Sequence, residues 1–327
     1  MAIIFLLATM PVFGVVNQTV DTDNSGSPTY TNLSDAIAGL PAIFTDDIII
    51  TFSGTTADIS AVVNINQTIG IYHLTLVGKT DPKGVYNAGY YHFGPKNIAA
   101  ALITVTSSNV TIDKIQFPCH DNNYAAIDVG TTAGTLVVKN CIFKDATGTG
   151  ASAITFEGNT ATATGRVVQN CVFYNCYRPV YMYRSEGTFV HNTIVGETKY
   201  GIEVSESVYS VNVVKNNLVS GGDGSTILDY YHVDYGGTVT TACNYTSDAT
   251  SPDGAGYRSK TFAFVGAPDY HLNASEVANY HCTDPSISGL TTDVNGTTRG
   301  PNWTAGFHEL VNAGGSNGLT AILRAIQ

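Results

Sequence analysis

Short runs of alternating apolar and polar residues recur through the middle of the chain: LITV at 102–105, AIDV at 126–129, AITF at 153–156, PVYM at 179–182 and GIEV at 201–204. A period of two marks an extended strand with one buried face. After each run comes a similar hexamer. IDKIQF begins at Ile112, VKNCIF at Val138, VQNCVF at Val168, VHNTIV at Val190 and VKNNLV at Val214, in steps of 26, 30, 22 and 24 residues. The predicted unit is two short strands joined by a turn, then a loop of variable length. TILD (226–229) and TVTTACNYT (238–246) continue the series with weaker matches. Alternation puts Ile127, Val129, Ile154, Phe156, Val180, Met182, Ile202 and Val204 on one face. No single unit is long enough to bury that face, but stacked units bury it as a continuous core. The pattern therefore predicts a parallel β-solenoid. A β-sandwich also has short strands at regular spacing, but it has no reason to repeat one polar residue in register.

That repeated residue is asparagine. Aligning the hexamers on their first residue puts Asn140, Asn170, Asn192 and Asn216 in one column. Asparagine tolerates the left-handed backbone of a tight turn, and its amide can hydrogen-bond along a stack. The four are expected to form a structural ladder at one corner, next to stacked Cys141 and Cys171. Rungs lie ~4.8 Å apart, within the separation a disulfide accepts. A buried pair of reduced thiols is the preferred expectation, since free cysteine packs as a small apolar residue.

Both ends of a solenoid need covering. TYTNLSDAIAGL (29–40) reads as a short capping helix, with Asn32 or Ser34 as N-cap and Ala36, Ile37 and Leu40 on one face. LTAILRAI (319–326) places Leu319, Ile322, Leu323 and Ile326 on one helical stripe. It serves as a cap or as an oligomer contact. The chain divides into an apolar N-terminal segment (1–18), a cap with first rungs (19–100), regular rungs (101–250), C-terminal rungs with a closing motif (251–311), and a hinge with a terminal amphipathic helix (312–327). The apolar run at 3–16 is too short to span a bilayer. It is either a signal-peptide core, without the usual preceding Lys or Arg, or a retained docking segment.

Composition narrows the function. Only 13% of the 327 residues are charged and the net charge is -11. With no Lys/Arg run, a nucleic-acid partner is not expected. The six cysteines include no C-x-x-C pair, so neither a structural metal site nor a cofactor is expected. The outward positions of the first strands hold Asp128, Thr155, Tyr181 and Glu203, and the next column holds Gly130, Glu157, Tyr183 and Ser205. If the protein is an enzyme, its carboxylates are Glu157, Glu203 and Asp128. Two rungs and one column separate Glu157 from Glu203, roughly 10 Å, slightly beyond the 6.5–9.5 Å of inverting glycosidases. Tyr181, Tyr183 and Arg184 are the glycan-binding candidates.

The repeated VxNCxF and GIEV units, over about residues 100–230, resemble the right-handed parallel β-helix (pectate-lyase-like) superfamily. TVDTDNSGSPTYTNLSDAIAGL (19–40) and LVGKTDPKGVYNAGYYHF (76–93) are similar to the openings of β-helix proteins of tailed phages. DYHL (269–272) and DVNGTTRGPNWTAGFHE (293–309) resemble the closing motif of surface β-helix proteins. Where that motif ends Gly-Ala-Phe-Glu, this chain has Gly306-Phe307-His308-Glu309. The resemblance implies an all-β, single-stranded right-handed parallel β-helix with an N-terminal capping helix and a short C-terminal helix. The superfamily's polygalacturonase signatures Asn-Thr-Asp, Gly-His-Gly and Arg-Ile-Lys are missing from the chain. The leading expectation is a non-enzymatic structural protein on a virion, as capsid decoration, tail or fibre component, acting as a homo-oligomer. The alternatives are a tailspike-type polysaccharide lyase or hydrolase, and a secreted cell-surface adhesin or glycan-binding module.

Overall fold

The computed structural model describes residues 15–306, apart from 22, 24–28, 56–61, 81–83, 85, 94–99, 119–123, 159–164, 206–210, 267–268, 274–275, 277–278, 283–291, 294–296 and 300–302. Among the described residues three parallel sheets stack side by side. Sheet A has nine strands, from Val15–Asp21 to Thr238–Ala242. Sheet B has seven, from Val63–Ile65 to Leu228–Val233. Sheet C has six, from Gln116–Pro118 to Tyr245–Thr246. From the strand Val110–Asp113 onward the chain visits A, C and B in turn. A rung therefore contains three strands rather than the expected two. The difference lies in the hexamer, which bends at its centre: in VKNCIF, Leu136–Lys139 ends in sheet A and Ile142–Lys144 begins in sheet C.

The bend is a left-handed corner. Lys114, Asn140, Asn170, His191, Asn216 and Cys243 all have φ between 53° and 58°. Successive corners stack, so each strand pairs with its neighbour at a fixed register. Sheet A places Val168 opposite Phe189 and Gln169 opposite Val190. This corrects the expected ladder. His191, not Asn192, occupies the corner above Asn170, and Asn192 moves one place inward, above Cys171. The physical reason is burial: Phe189 is the residue that faces the core, 6.0 Å from Phe173 between ring centroids. Matching letters on Val190 shifts the unit by one.

The inward column is then Cys141, Cys171, Asn192, Asn217 and Asn244, all buried. Cys141 and Cys171 carry free thiols. Their sulfurs donate to Lys139 O at 3.2 Å and Gln169 O at 3.3 Å, and burial holds the Cys141 thiol protonated. Asparagine replaces cysteine where the ladder becomes polar. Asn192 Oδ1 accepts from Cys171 N, and Asn217 Oδ1 accepts from Asn192 N, both at 2.9 Å. Asn217 Nδ2 donates to Asn244 Oδ1 at 2.8 Å, and Asn244 N reaches Asp253 Oδ2 at 2.7 Å. Phe93 and the hexamers' Phe117, Phe143 and Phe173 form a second column, stacked at 5.4, 4.8 and 4.9 Å. The eight core positions read from alternation, Ile127 to Val204, are all fully buried.

Leu33–Ala38 is helical, as expected, and Asn32 is its N-cap, accepting from Asp35 N. Leu33, Ala36 and Ile37 enter the main core. Val15–Asp21 is already the first strand of sheet A, so the boundary drawn at residue 18 falls inside a strand. After Thr246 the expected further rungs do not continue the three sheets. Phe264–Gly266 pairs antiparallel with Asp269–Leu272, and His281–Cys282 with Trp303–Thr304. This segment builds a separate small core with Leu218, Cys243, Tyr245, Leu272, Tyr280 and Ala305. A disulfide joins Cys243 to Cys282, a pairing not anticipated from the sequence. The proposed terminal helix with Leu319, Ile322, Leu323 and Ile326 lies outside the described residues.

Candidate functional site

The outer face of sheet B gathers the candidate side chains. From Val63–Ile65 to Tyr200–Ser205 the inward residues of this sheet are apolar, so the alternate positions form its outer face. Register fixes the outward column as Thr104, Asp128, Thr155, Tyr181, Glu203 and Tyr231. The neighbouring column runs through Glu157, Tyr183 and Ser205. Both columns agree with the alternation in the sequence.

Cations are laid across these rings. Arg178 sits 4.5 Å from the Tyr181 ring centroid and Arg184 5.1 Å from that of Tyr183. Lys199 lies 4.8 Å from Tyr200 and 5.3 Å from Tyr177. Tyr200 and Tyr231 stack at 4.3 Å with their planes 9° apart, and Tyr181 and Tyr183 are 5.6 Å apart. The tyrosines are half-buried, which leaves each with one wet edge. Tyr181 is pushed up to about 12, by burial first and by Glu203 second, so its hydroxyl stays protonated. The result is a stripe of flat apolar rings with guanidinium and ammonium groups over them.

The three carboxylates behave differently. Glu203 is buried and its Oε2 accepts from Arg178 Nη1 at 3.2 Å. Burial raises its pKa and Arg178 works against that rise. Its charge is committed within the protein. Glu157 is exposed. Asp128 sits one rung before Glu157, and its pKa is raised by burial first and by Glu157 second. The structure therefore brings Asp128 and Glu157 together, and separates Glu203 from them by its bond to Arg178.

Tyr177, Lys199, Tyr200 and Tyr231 belong to the stripe and were not singled out from sequence. Lys199 and Tyr200 stand just before GIEV, and Tyr231 stands just before HVDYGG (232–237), which reads as a turn-rich loop although the strand Leu228–Val233 runs into it. The available signal was Tyr231's position opposite Glu203, which needs the register of a weakly matching unit. A second acidic group, Glu197, Asp229 and Asp248, is buried beneath the turn after sheet C. Among the described residues no group of three or more His, Cys, Asp or Glu is arranged to hold a metal ion.

Residues 96–248 match the family model described as right handed beta helix region. The fold is a right-handed parallel β-helix. The matched residues cover the regular rungs and the tyrosine stripe of this β-helix, and stop just after the last strand of sheet C. No curated protein and no solved structure matches the chain at a significant level.

Proposed function

We propose that this β-helix is a non-enzymatic structural protein displayed on an extracellular assembly, a virion surface in the first instance, and that its sheet B face binds a surface glycan. The tyrosine stripe carries the reading. Pyranose rings present apolar C–H faces that stack on aromatic side chains, while hydroxyl and carboxylate groups accept from nearby cations. Tyr177, Tyr181, Tyr183, Tyr200 and Tyr231 supply rings across three consecutive rungs, and Arg178, Arg184 and Lys199 supply the donors. The Cys243–Cys282 disulfide supports an oxidising, extracellular location. Attachment and homo-oligomerisation are assigned to the apolar terminal segments.

Glycan-array screening with bacterial surface polysaccharides, followed by calorimetry, tests this. Wild type binds at least one polymer, and Tyr181→Ala and Tyr200→Ala each weaken it about tenfold or more, the loss of roughly 1.4 kcal/mol. Failure of the wild type to bind any polymer would sink the reading. Asp128 and Glu157 favour one rival, since two neighbouring carboxyls, one with its pKa raised by burial, suit acid-base cleavage. Release of reducing ends by wild type, abolished in Asp128→Asn, would replace binding by hydrolysis.

A further inference from the structure

The outer faces of the three sheets differ in kind. Sheet B carries the tyrosine stripe. Over sheet C, Tyr86 N donates to the Tyr174 hydroxyl at 3.1 Å and Lys144 lies 4.5 Å from the Tyr86 ring centroid. Sheet A has neither rings nor cations at its centre. Strand register there aligns one outward column that starts at Ile49, passes Val137, Val167 and Val213, and ends at Thr240; the members between them are threonines. Every member is β-branched and uncharged, and all are half-buried except Thr240, which is exposed. Two positions earlier on their strands, and so on the same face, Val15 and Val211 are 52% and 53% exposed. On the other flank Asp113 and Lys139 pair at 3.5 Å and cancel each other's charge.

Size and spacing say what fits this face. Nine strands at ~4.8 Å make it about 40 Å long, and three outward columns make it about 15 Å wide. That is roughly 600 Å² on one copy and roughly 1,200 Å² for two, the lower end of specific protein contacts. A partner must offer side chains at the same ~4.8 Å interval over the whole length to interdigitate with it. A helix, rising about 1.5 Å per residue, has no such period. A second copy of this chain has it by construction. A column of one charge sign would repel its own copy, whereas this column is neutral within a chain whose net charge is -11. β-Branched side chains also have little rotamer freedom to lose on contact.

We propose that the outer face of sheet A is a lateral interface between two copies of this chain, packed sheet to sheet about 10 Å apart along the column from Ile49 to Thr240. The contact is additional to the one assigned to the terminal segments, and it stands whether or not the sheet B stripe binds a glycan. Val137 lies on the middle strand of the nine and in the middle column. In any twofold pairing of the whole face, with the solenoids parallel or antiparallel, Val137 therefore meets its own counterpart. The tyrosine stripes, on sheet B, stay outside the contact.

Sedimentation velocity on the full chain over a concentration series tests the interface. Wild type sediments as a dimer or larger species at high concentration. Val137→Asp, which sets two like charges against each other in the contact, dissociates at least tenfold more readily. A wild type that stays monomeric would leave the face to some other partner and overturn the proposal. Dissociation unchanged in Val137→Asp would place the contact elsewhere, at the terminal segments, and overturn it equally. Should Val137→Asp not fold, Val137→Cys decides. Under mild oxidation it forms a disulfide-linked dimer, at least tenfold more than wild type, whose free cysteines are buried. Thr198→Cys, exposed on the turn between sheets C and B, is the control and stays monomeric on a non-reducing gel. Cross-linking of Val137→Cys no greater than that of Thr198→Cys overturns the proposal.

Discussion

Glu197 occupies a place that the rung before gives to Cys176, two residues past the paired Tyr174 and Val195. It is 3% exposed. Asp229 beside it accepts from Gly222 N at 2.6 Å, Ser247 Oγ at 2.8 Å, Asp248 N at 3.1 Å and also from Ser247 N. Both Asp229 oxygens are therefore taken up as hydrogen-bond acceptors. Asp248 is held the same way, by Asp229 N at 3.0 Å and Thr250 N at 2.9 Å. Burial first, then Asp229, push the Glu197 pKa well above the usual carboxylate range. A folded pKa above the unfolded value means that stability is complete below about pH 4 and declines as pH rises through the folded pKa. Glu197→Gln keeps a donor and removes the titration. Its melting temperature should match wild type near pH 4 and exceed it at pH 9, by the equivalent of about 1 kcal/mol or more. Thermal unfolding from pH 4 to 9 measures this, and two parallel curves would show that Glu197 does not titrate with folding.

At the scale of the rung, the corner decides the register. A left-handed residue turns the chain from sheet A to sheet C, and the next residue points inward to contact the rung on either side. In the earlier rungs that residue is cysteine, and in the later ones asparagine. Asn217 is the middle of the asparagine ladder: Oδ1 accepts from Asn192 N and Nδ2, while Nδ2 donates to Phe189 O and Asn244 Oδ1. Asn217→Ala leaves these buried partners unsatisfied, each at about 1–3 kcal/mol before relaxation. Chemical denaturation should show a net loss of more than about 2 kcal/mol; a loss under about 0.5 kcal/mol, the range of an ordinary surface change, would mean that the ladder is not needed. Much of this architecture is legible in the chain. Period-two alternation finds the inward residues of sheet B, and the repeated hexamer finds the rung. Alternation cannot place a unit whose letters match one residue off, as VHNTIV does, because burial of Phe189 and not similarity to Val168 sets the pairing. The inward ladder of Asn192, Asn217 and Asn244 was hidden for the same reason. On sheet B, Asp128, Tyr181 and Glu203 were readable as one column, but the bond that takes Glu203 out of any carboxylate pair was not. It comes from Arg178, ahead of the strand.

The whole molecule is a stack in which each rung touches its two neighbours, so damage at one end need not spread. The ends differ. At the first, the helix Leu33–Ala38 places Leu33, Ala36 and Ile37 against the main core. At the last, two small antiparallel pairs build a core of their own, joined to the rungs through the corner column and the Cys243–Cys282 bond. Cysteine spacing alone did not single out this pair, because Cys243 acquires its partner only when the segment after the rungs folds back across the corner. The two cysteines are 39 residues apart. Closing a loop of that length removes about 4 kcal/mol of freedom from the opened chain. In the double variant Cys243→Ser, Cys282→Ser that cost falls on docking the small C-terminal core. Hydrogen exchange at neutral pH should show Phe264–Gly266, Asp269–Leu272, His281–Cys282 and Trp303–Thr304 losing protection, by a free energy of up to about 4 kcal/mol. The strands Ile154–Glu157 and Val180–Tyr183 should exchange as in wild type. Tyr181 and Tyr183 of the stripe lie on the second of those strands, so glycan binding there should survive as well. Loss of protection throughout sheets A, B and C would show instead that the closing segment and the solenoid unfold as one cooperative unit.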